Sequence, residues 1–274
     1  MSLFEAIVLG IVQGFTEFLP ISSTAHLTLV PWLFGWTDPG LTFDIALHVG
    51  TLVAVLAYFF RDWVQVISQG FGLSIGNDPV LKQNRMLLWL LVLATIPAGV
   101  FGMVFKEQAE TTWRSPYVIA TSMIVFGIIL WWAERHGRRI RDIGKVGFLD
   151  ALFIGCAQAF AVIPGVSRSG STISAGLIRN LDRTAAARFS FLLSTPVIGG
   201  AAAKDMYDLF KHEGGLQPDM RMPFIVGIVV SGIVGALVIG VFMRSLRRFS
   251  LNFFVAYRII FGIIIIALAQ FFRL

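Results

Sequence analysis

Two stretches of this 274-residue chain set amide, carboxylate, hydroxyl, imidazole and guanidinium groups inside apolar sequence. The first runs Gln13-Gly-Phe-Thr-Glu17-Phe-Leu-Pro20-Ile-Ser22-Ser23-Thr24-Ala-His26, the second Gln158-Ala-Phe-Ala-Val-Ile-Pro164-Gly165-Val-Ser167-Arg168-Ser169-Gly170-Ser171-Thr172. Gln13 and Glu17 are four apart, so a helix that stops before Pro20 presents an amide and a carboxylate on one face. A carboxylate at membrane depth costs about 2.5 to 3.5 kcal/mol on insertion scales, so Glu17 calls for a cation, a proton or a basic partner. Ser22, Ser23 and Thr24 fall where a new helix starts; they can cap its free N–H groups, and that terminus also favours an anion. His26 lies one turn on. Alone it reads as a hydrogen-bonded helix histidine; beside a hydroxyl and a carboxylate it has the pattern of general-base or covalent catalysis.

The second stretch supplies different parts. Gly165 and Gly170 permit close backbone approach, Ser167, Ser169 and Thr172 bring hydroxyls, and Arg168 carries a planar fork suited to phosphoryl oxygens. Together they read as a phosphate cradle. Arg258 sits inside the last apolar run, where the corresponding residue of the first half is Met123; Glu17, a bound phosphate and a backbone carbonyl are all open as its partner. His48 follows Asp44 at the start of an apolar run and reads as an interface or packing residue, while His136 and His212 fall in loops.

The elements that must hold these groups are membrane helices. Hydrophobic residues make up 56% of the chain and charged ones 14%, with a mean hydropathy of +0.78, a balance that fits an integral membrane protein and not a water-soluble monomer. Apolar runs at 43–60, 86–105, 116–133, 188–203, 222–243 and 251–272 approach or exceed the roughly 20 residues of a span. Segments 3–19, 22–36, 148–163 and 172–180 are apolar but short, stopping at Pro20, Pro31, Pro164 or the turn at Arg179; they read as four re-entrant pieces. The start of the chain lacks the basic opening and small-residue cleavage site of a signal peptide, so it is expected to be part of the fold. Cys156 is the one cysteine, which excludes an internal disulfide or a cysteine metal cage. The net charge of +6 does not argue for nucleic acid, because the basic residues lie between apolar runs and not along one stripe.

The halves repeat. Gly10, Gln13, Phe15 and Pro20 match Gly155, Gln158, Phe160 and Pro164; Arg85-Met86 matches Arg221-Met222, Ser115 matches Ser250, and Phe126-Gly-Ile-Ile129 matches Phe261-Gly-Ile-Ile264. The expected architecture is one all-α membrane domain over 1–274, with repeat 1 at about 1–135 and repeat 2 at about 147–274. Each repeat holds a re-entrant hairpin and three spanning helices, and the odd number of crossings inverts the second. If the chain changes sides at every span, Arg61, Lys82, Arg85, Arg135, Arg138, Arg139, Arg141, Lys145, Arg179, Arg183, Arg188, Arg244, Arg247 and Arg248 share one side. That side is then cytoplasmic, and the Glu17/His26 hairpin enters from the other.

The two motifs resemble those of the undecaprenyl-diphosphate phosphatase family, also called bacitracin-resistance proteins, and the likeness runs through the whole chain. The family pattern accepts Glu or Gln at the position of Gln13. The resemblance implies a hydrolase of the bacterial plasma membrane that cleaves the diphosphate anhydride of undecaprenyl diphosphate, releasing undecaprenyl phosphate and inorganic phosphate. This recycles the carrier lipid for peptidoglycan synthesis and confers bacitracin resistance. It also implies dependence on a divalent cation, Mg2+ or Ca2+, and a site open to the outer face. Combined with the residues above, the expected catalytic set is Glu17, His26, Ser23 and Arg168, with Ser22, Thr24, Gly165, Ser167, Ser169, Gly170 and Thr172 binding phosphate, and Glu17 and Gln13 placing the metal. Whether Ser23, His26 or water is the nucleophile stays open, as does Arg258. An inverted-repeat transporter or lipid flippase, or a phosphatase of another lipid diphosphate, is the alternative; the long apolar faces fit a monomer or a homodimer.

Overall fold

A computed structural model describes residues 1–37, 40–212 and 215–271. In chain order the helices are α1 (Leu3–Thr16), α2 (Ser23–Phe34), α3 (Gly40–Tyr58), α4 (Phe60–Gly70), α5 (Leu87–Val104), α6 (Lys106–Glu110), α7 (Pro116–His136), α8 (Phe148–Ala159), α9 (Arg168–Ile178), α10 (Arg183–His212), α11 (Arg221–Ser245) and α12 (Asn252–Phe271). The described residues contain no strand. Helices α5, α7, α10, α11 and α12 are long and apolar enough to cross a bilayer, and α3 with α4 makes a sixth span if that pair, bent by 75°, counts as one. Only 28% of the most apolar stretch of α5, α11 or α12 is buried in the protein. Apolar surface on that scale needs lipid as its solvent, and the chain is a multi-pass membrane protein.

Local chemistry sets the ends. Ser2 caps α1 by accepting from Glu5 N while the Glu5 carboxylate accepts from Ser2 N at 2.7 Å, a reciprocal pair that satisfies two orphan donors. Helix α4 turns Phe60, Val64 and Ile67 outward and buries Gln65 and Ser68, which bond to the 71–80 segment through Asp78 and Ile75. Pro31, expected to stop the second short segment, lies inside α2. The helix tolerates it for one last turn and ends at Gly35, whose φ of 64° is the left-handed conformation that glycine adopts freely.

Small residues let the helices close on each other. Helix α11 packs along both α3 and α1, and a Cβ on Gly14 would come within 2.7 Å of Ser231 O. On Gly50 it would overlap Ser231 Oγ and Ile228 O. Without a hydrophobic drive between helices in lipid, this close backbone approach supplies the association.

At one end of the bundle, buried and half-buried ion pairs tie the loops down. Arg141 and Arg179 both reach Asp150, Arg183 reaches Glu134, and Arg188 bridges Asp62 at 2.6 Å and Asp78 at 2.7 Å. Burial pushes the Asp78 carboxyl up, but the hydrogen bond and charge of Arg188 outweigh it and hold the group below the usual carboxylate range. A depressed carboxylate stabilises the fold above its unfolded pKa of about 4, and that stabilisation is lost as the pH falls through the folded value.

Two outcomes follow from this packing. Gly50→Val lowers the melting temperature of the detergent-purified protein, an overpacking loss of about 1–3 kcal/mol, whereas Gly99→Ala, with nothing within 4 Å of the new methyl, does not. Asp78→Asn lowers the melting temperature at pH 7, and the gap from the unsubstituted protein closes on acidification below about pH 4.

Candidate active site

Two helix breaks build the site. Helix α1 ends at Thr16 with Glu17 as its C-cap, and the chain turns through Pro20 before α2 begins at Ser23. Helix α8 ends at Ala159, a short 3-10 turn covers Phe160–Val162, and α9 begins at Arg168. The residue before each new helix is a serine at positive φ, 71° at Ser22 and 70° at Ser167. Each such backbone costs about 1–3 kcal/mol and persists only where its surroundings over-determine it. Ser167 Oγ accepts from Gly170 N at 3.1 Å and so caps α9, while Ser22 makes no side-chain cap.

Arg258 holds the two breaks together. Its side chain is fully buried in α12. The guanidinium donates to Pro20 O of the first break at 3.2 Å, to Gly165 O and Val166 O of the second at 3.0 Å each, and to Met123 O at 3.2 Å. Among the partners left open by the sequence, the structure therefore selects backbone carbonyls. Ser169 adds a second tie, its hydroxyl donating to Leu19 O at 2.8 Å.

The charged groups meet across these ties. Arg168 Nη2 donates to Glu17 Oε1 at 2.9 Å, with both side chains nearly buried. Ser23 Oγ donates to Glu17 Oε2 at 2.7 Å, and Gln13 Nε2 donates to the same oxygen at 3.2 Å. Glu17, Ser23 and Arg168 border a cavity of about 450 Å³ that Ser22, Thr24, Ser167 and Gln158 also line, with Asp44, Arg114 and Asp205 among its other walls; Gln13 lies behind Glu17, fully buried. Several polar atoms here are buried with no hydrogen-bond partner, namely Gln13 Oε1, Arg168 Nε and both ends of the Gln158 amide. A protein interior rarely leaves such groups unpaired without a ligand or water to meet them.

The remaining expected site residues are spread around this centre. Thr172 Oγ1 bonds Arg168 O at 2.8 Å and Ser190 Oγ at 2.6 Å, so it supports the start of α9 from behind. Gly165, with φ of 92°, packs so closely on Ile119 that a side chain would strike its carbonyl, and Gly170 lies against Ser167 and Arg258. His26 turns away from Ser23 and Glu17. Its Nδ1 bonds Ser22 O at 2.7 Å, its Nε2 bonds Tyr257 Oη at 2.5 Å, and its ring stacks on Phe261.

His48, read from sequence as an interface or packing histidine, lines the cavity instead, with Nε2 3.9 Å from Glu17 Oε2. Its Nδ1 donates to Asp44 O at 2.7 Å, which points Nε2 at the cavity. Its i, i+4 relation to Asp44 describes only its own helix, so nothing local pointed to Glu17. Gln158 was singled out in the sequence only by its match to Gln13; its unpaired amide had no signal there.

Fold and site define a multi-pass helical membrane protein whose paired helix breaks enclose a charged, hydroxyl-rich cavity. The sequence pattern of the family described as bacitracin resistance protein BacA matches residues 6–264, and the chain belongs to that family. Relatives named undecaprenyl-diphosphatase include one from Moorella thermoacetica, 48% identical over 97% of this chain and 98% of its own length. Another from Desulforudis audaxviator is 47% identical over 98% of both chains, and one from Thermomicrobium roseum is 44% identical over the whole of both.

Arg258→Met keeps the apolar stem and removes the donors. It is expected to leave the carbonyls at both breaks unpaired, lowering stability by about 3 kcal/mol or more, read as an earlier melting transition in detergent.

Proposed function

We propose that this chain hydrolyses undecaprenyl diphosphate to undecaprenyl phosphate and inorganic phosphate in the bacterial plasma membrane. In the cell this returns the carrier lipid to peptidoglycan synthesis and confers resistance to bacitracin. The observation that carries the proposal is the Ser23–Glu17–Arg168 constellation, a hydroxyl on a carboxylate beside a guanidinium, at a cavity between membrane helices. Family membership and the names of its undecaprenyl-diphosphatase relatives agree with it.

The residues divide the reaction between them. The prenyl tail stays in lipid while the diphosphate enters the cavity. Arg168, with its unpaired Nε, and the first N–H groups of α9 bind the terminal phosphoryl oxygens and offset charge as it develops. Ser23, already donating to Glu17, is the nucleophile: its proton passes to Glu17, its oxygen bonds to the terminal phosphorus, and the bridging P–O bond breaks to release undecaprenyl phosphate. Water then attacks the phosphoserine, releasing inorganic phosphate, and Glu17 returns the proton to Ser23. His48 Nε2 is placed to exchange protons with that water. His26, with both ring nitrogens engaged, orients the Ser22–Thr24 turn.

The oxygen donors present fit the divalent cation expected from the family. Gln13 Oε1 is buried without a partner, on the side chain whose Nε2 bonds the Glu17 carboxylate, and no group of three or more His, Cys, Asp or Glu side chains is assembled for a metal among the described residues. Few protein ligands together with lipid phosphate oxygens is a Mg2+-like arrangement. Glu17 and Gln13 would hold such an ion, which would supply charge neutralisation for the diphosphate.

The same proposal takes the chain as two inverted repeats, with α1–α2 and α8–α9 as re-entrant hairpins. Support comes from the paired positive-φ serines and from the pair of short helices, α1–α2 and α8–α9, that opens each half. The end carrying Arg141, Arg179, Arg183 and Arg188 is then cytoplasmic and the cavity opens outward.

Arg168→Ala and Glu17→Ala are each expected to lower phosphate release from undecaprenyl diphosphate by about 10²-fold or more, in purified protein that melts normally. Acid-quenched wild-type enzyme carries labelled phosphate on Ser23. Near-normal turnover in both variants would sink the proposal, and lipid movement without phosphate release would assign the chain to transport.

A further inference from the structure

A second cavity, of about 600 Å³, lies between α1, α11 and α12 and shares none of its lining with the polar one. Its walls include Val12, Phe15, Leu237, Val241, Phe253 and Phe254. Phe15 is 52% exposed, Val241 67% and Phe253 73%, so the hollow opens on the apolar surface that faces lipid. The polar side chains that border it are occupied within the protein: His26 and Tyr257 bond each other, Thr16 bonds Val12 O, and Ser245 bonds Phe242 O. An occupant needs to bring hydrocarbon and nothing polar to these walls.

The mouth has the opposite character. One end of the cavity is bordered by Ser245 and Phe253, where α11 hands over to α12. Arg244 in the last turn of α11 and Arg247 and Arg248 in the short turn after it are all exposed. None makes an ion pair among the described residues, in contrast to Arg141, Arg179, Arg183 and Arg188. A hydrocarbon-lined groove bordered by Ser245, with exposed arginines one to three residues away in the chain, complements a lipid with an anionic head, because basic pockets between membrane helices hold lipid phosphates by charge.

We infer that this groove binds one acyl chain of an anionic glycerophospholipid, with its phosphate on Arg244, Arg247 and Arg248. A bilayer lipid is favoured over the prenyl substrate by position. The mouth lies at the Ser245 end of α11, whereas Asp44 and Arg114 border the polar cavity near the starts of α3 and α7. A lipid phosphate on these arginines is therefore remote from Arg168. The chain in the groove lies against α1 and against His26, and so buttresses the turn that carries Glu17 and Ser23. The inference stands apart from the hydrolytic proposal, since it concerns a lipid that is not turned over.

The test is native mass spectrometry of the full chain released from detergent with phosphatidylglycerol or phosphatidylcholine. The wild-type protein is expected to retain phosphatidylglycerol in preference to phosphatidylcholine. Retention falls about fivefold for each arginine removed in the combined Arg244→Gln, Arg247→Gln and Arg248→Gln variant, whose exposed substitutions leave the melting temperature in lipid-free detergent unchanged. Val241→Trp, which fills the groove, abolishes retention with the arginines intact. Equal retention of the two lipids, or retention of phosphatidylglycerol undiminished by the arginine substitutions, overturns the inference. Displacement of phosphatidylglycerol by stoichiometric undecaprenyl phosphate overturns it in favour of a prenyl-lipid site. None of these readings depends on phosphate release, so each is separable from failure of the hydrolytic proposal.

Discussion

A helix that stops inside a packed bundle leaves carbonyls that must find partners within the protein, and this chain breaks its short apolar helices twice. Arg258 resolves both interruptions with one side chain. Its guanidinium collects Pro20 O from the first break and Gly165 O and Val166 O from the second, so neither break can move without unpairing the other. The positive φ at Ser22 and Ser167 is tolerable for the same reason: a strained turn lasts when its neighbours over-determine it.

From that constraint follows the placement of charge. With the breaks tied, Glu17 and Arg168 face each other at 2.9 Å across 151 residues of sequence. A buried ion pair contributes little net stability, because desolvation consumes most of the Coulombic gain. Under the hydrolytic proposal its value lies in pre-organisation, since dipoles and charges already aimed need no rearrangement when a phosphate arrives. The unpaired atoms of Gln13, Gln158 and Arg168 mark where the site is incomplete without a ligand.

The turn between α1 and α2 also separates two environments. Ser23 and Glu17 border the polar cavity, while His26 looks into an apolar one with Tyr257. Positions three apart on a helix point only about 60° from each other, so the split comes from the partners: Ser23 Oγ bonds Glu17, whereas the His26 ring is drawn toward α12 by Tyr257 Oη and held by Ser22 O. Proximity in sequence suggested one cluster; the hydrogen bonds divide it.

Much was therefore legible in the chain itself. Apolar runs long enough to span lipid, prolines that interrupt shorter ones, and the expense of Glu17 and Arg168 at membrane depth determined a helical membrane protein with a polar site, because helix periodicity and bilayer thickness are local constraints. Even the i, i+4 contact of Gln13 with Glu17 was readable, since it lies within one helix. Only the tertiary structure decided that Arg258 clamps carbonyls, that His48 and not His26 stands beside Glu17, and that Pro31 lies within α2. Each of these depends on which helix packs against which, and on where a side chain's second hydrogen bond goes. Those choices are made by contacts between residues far apart in the chain, to which spacing along it is blind.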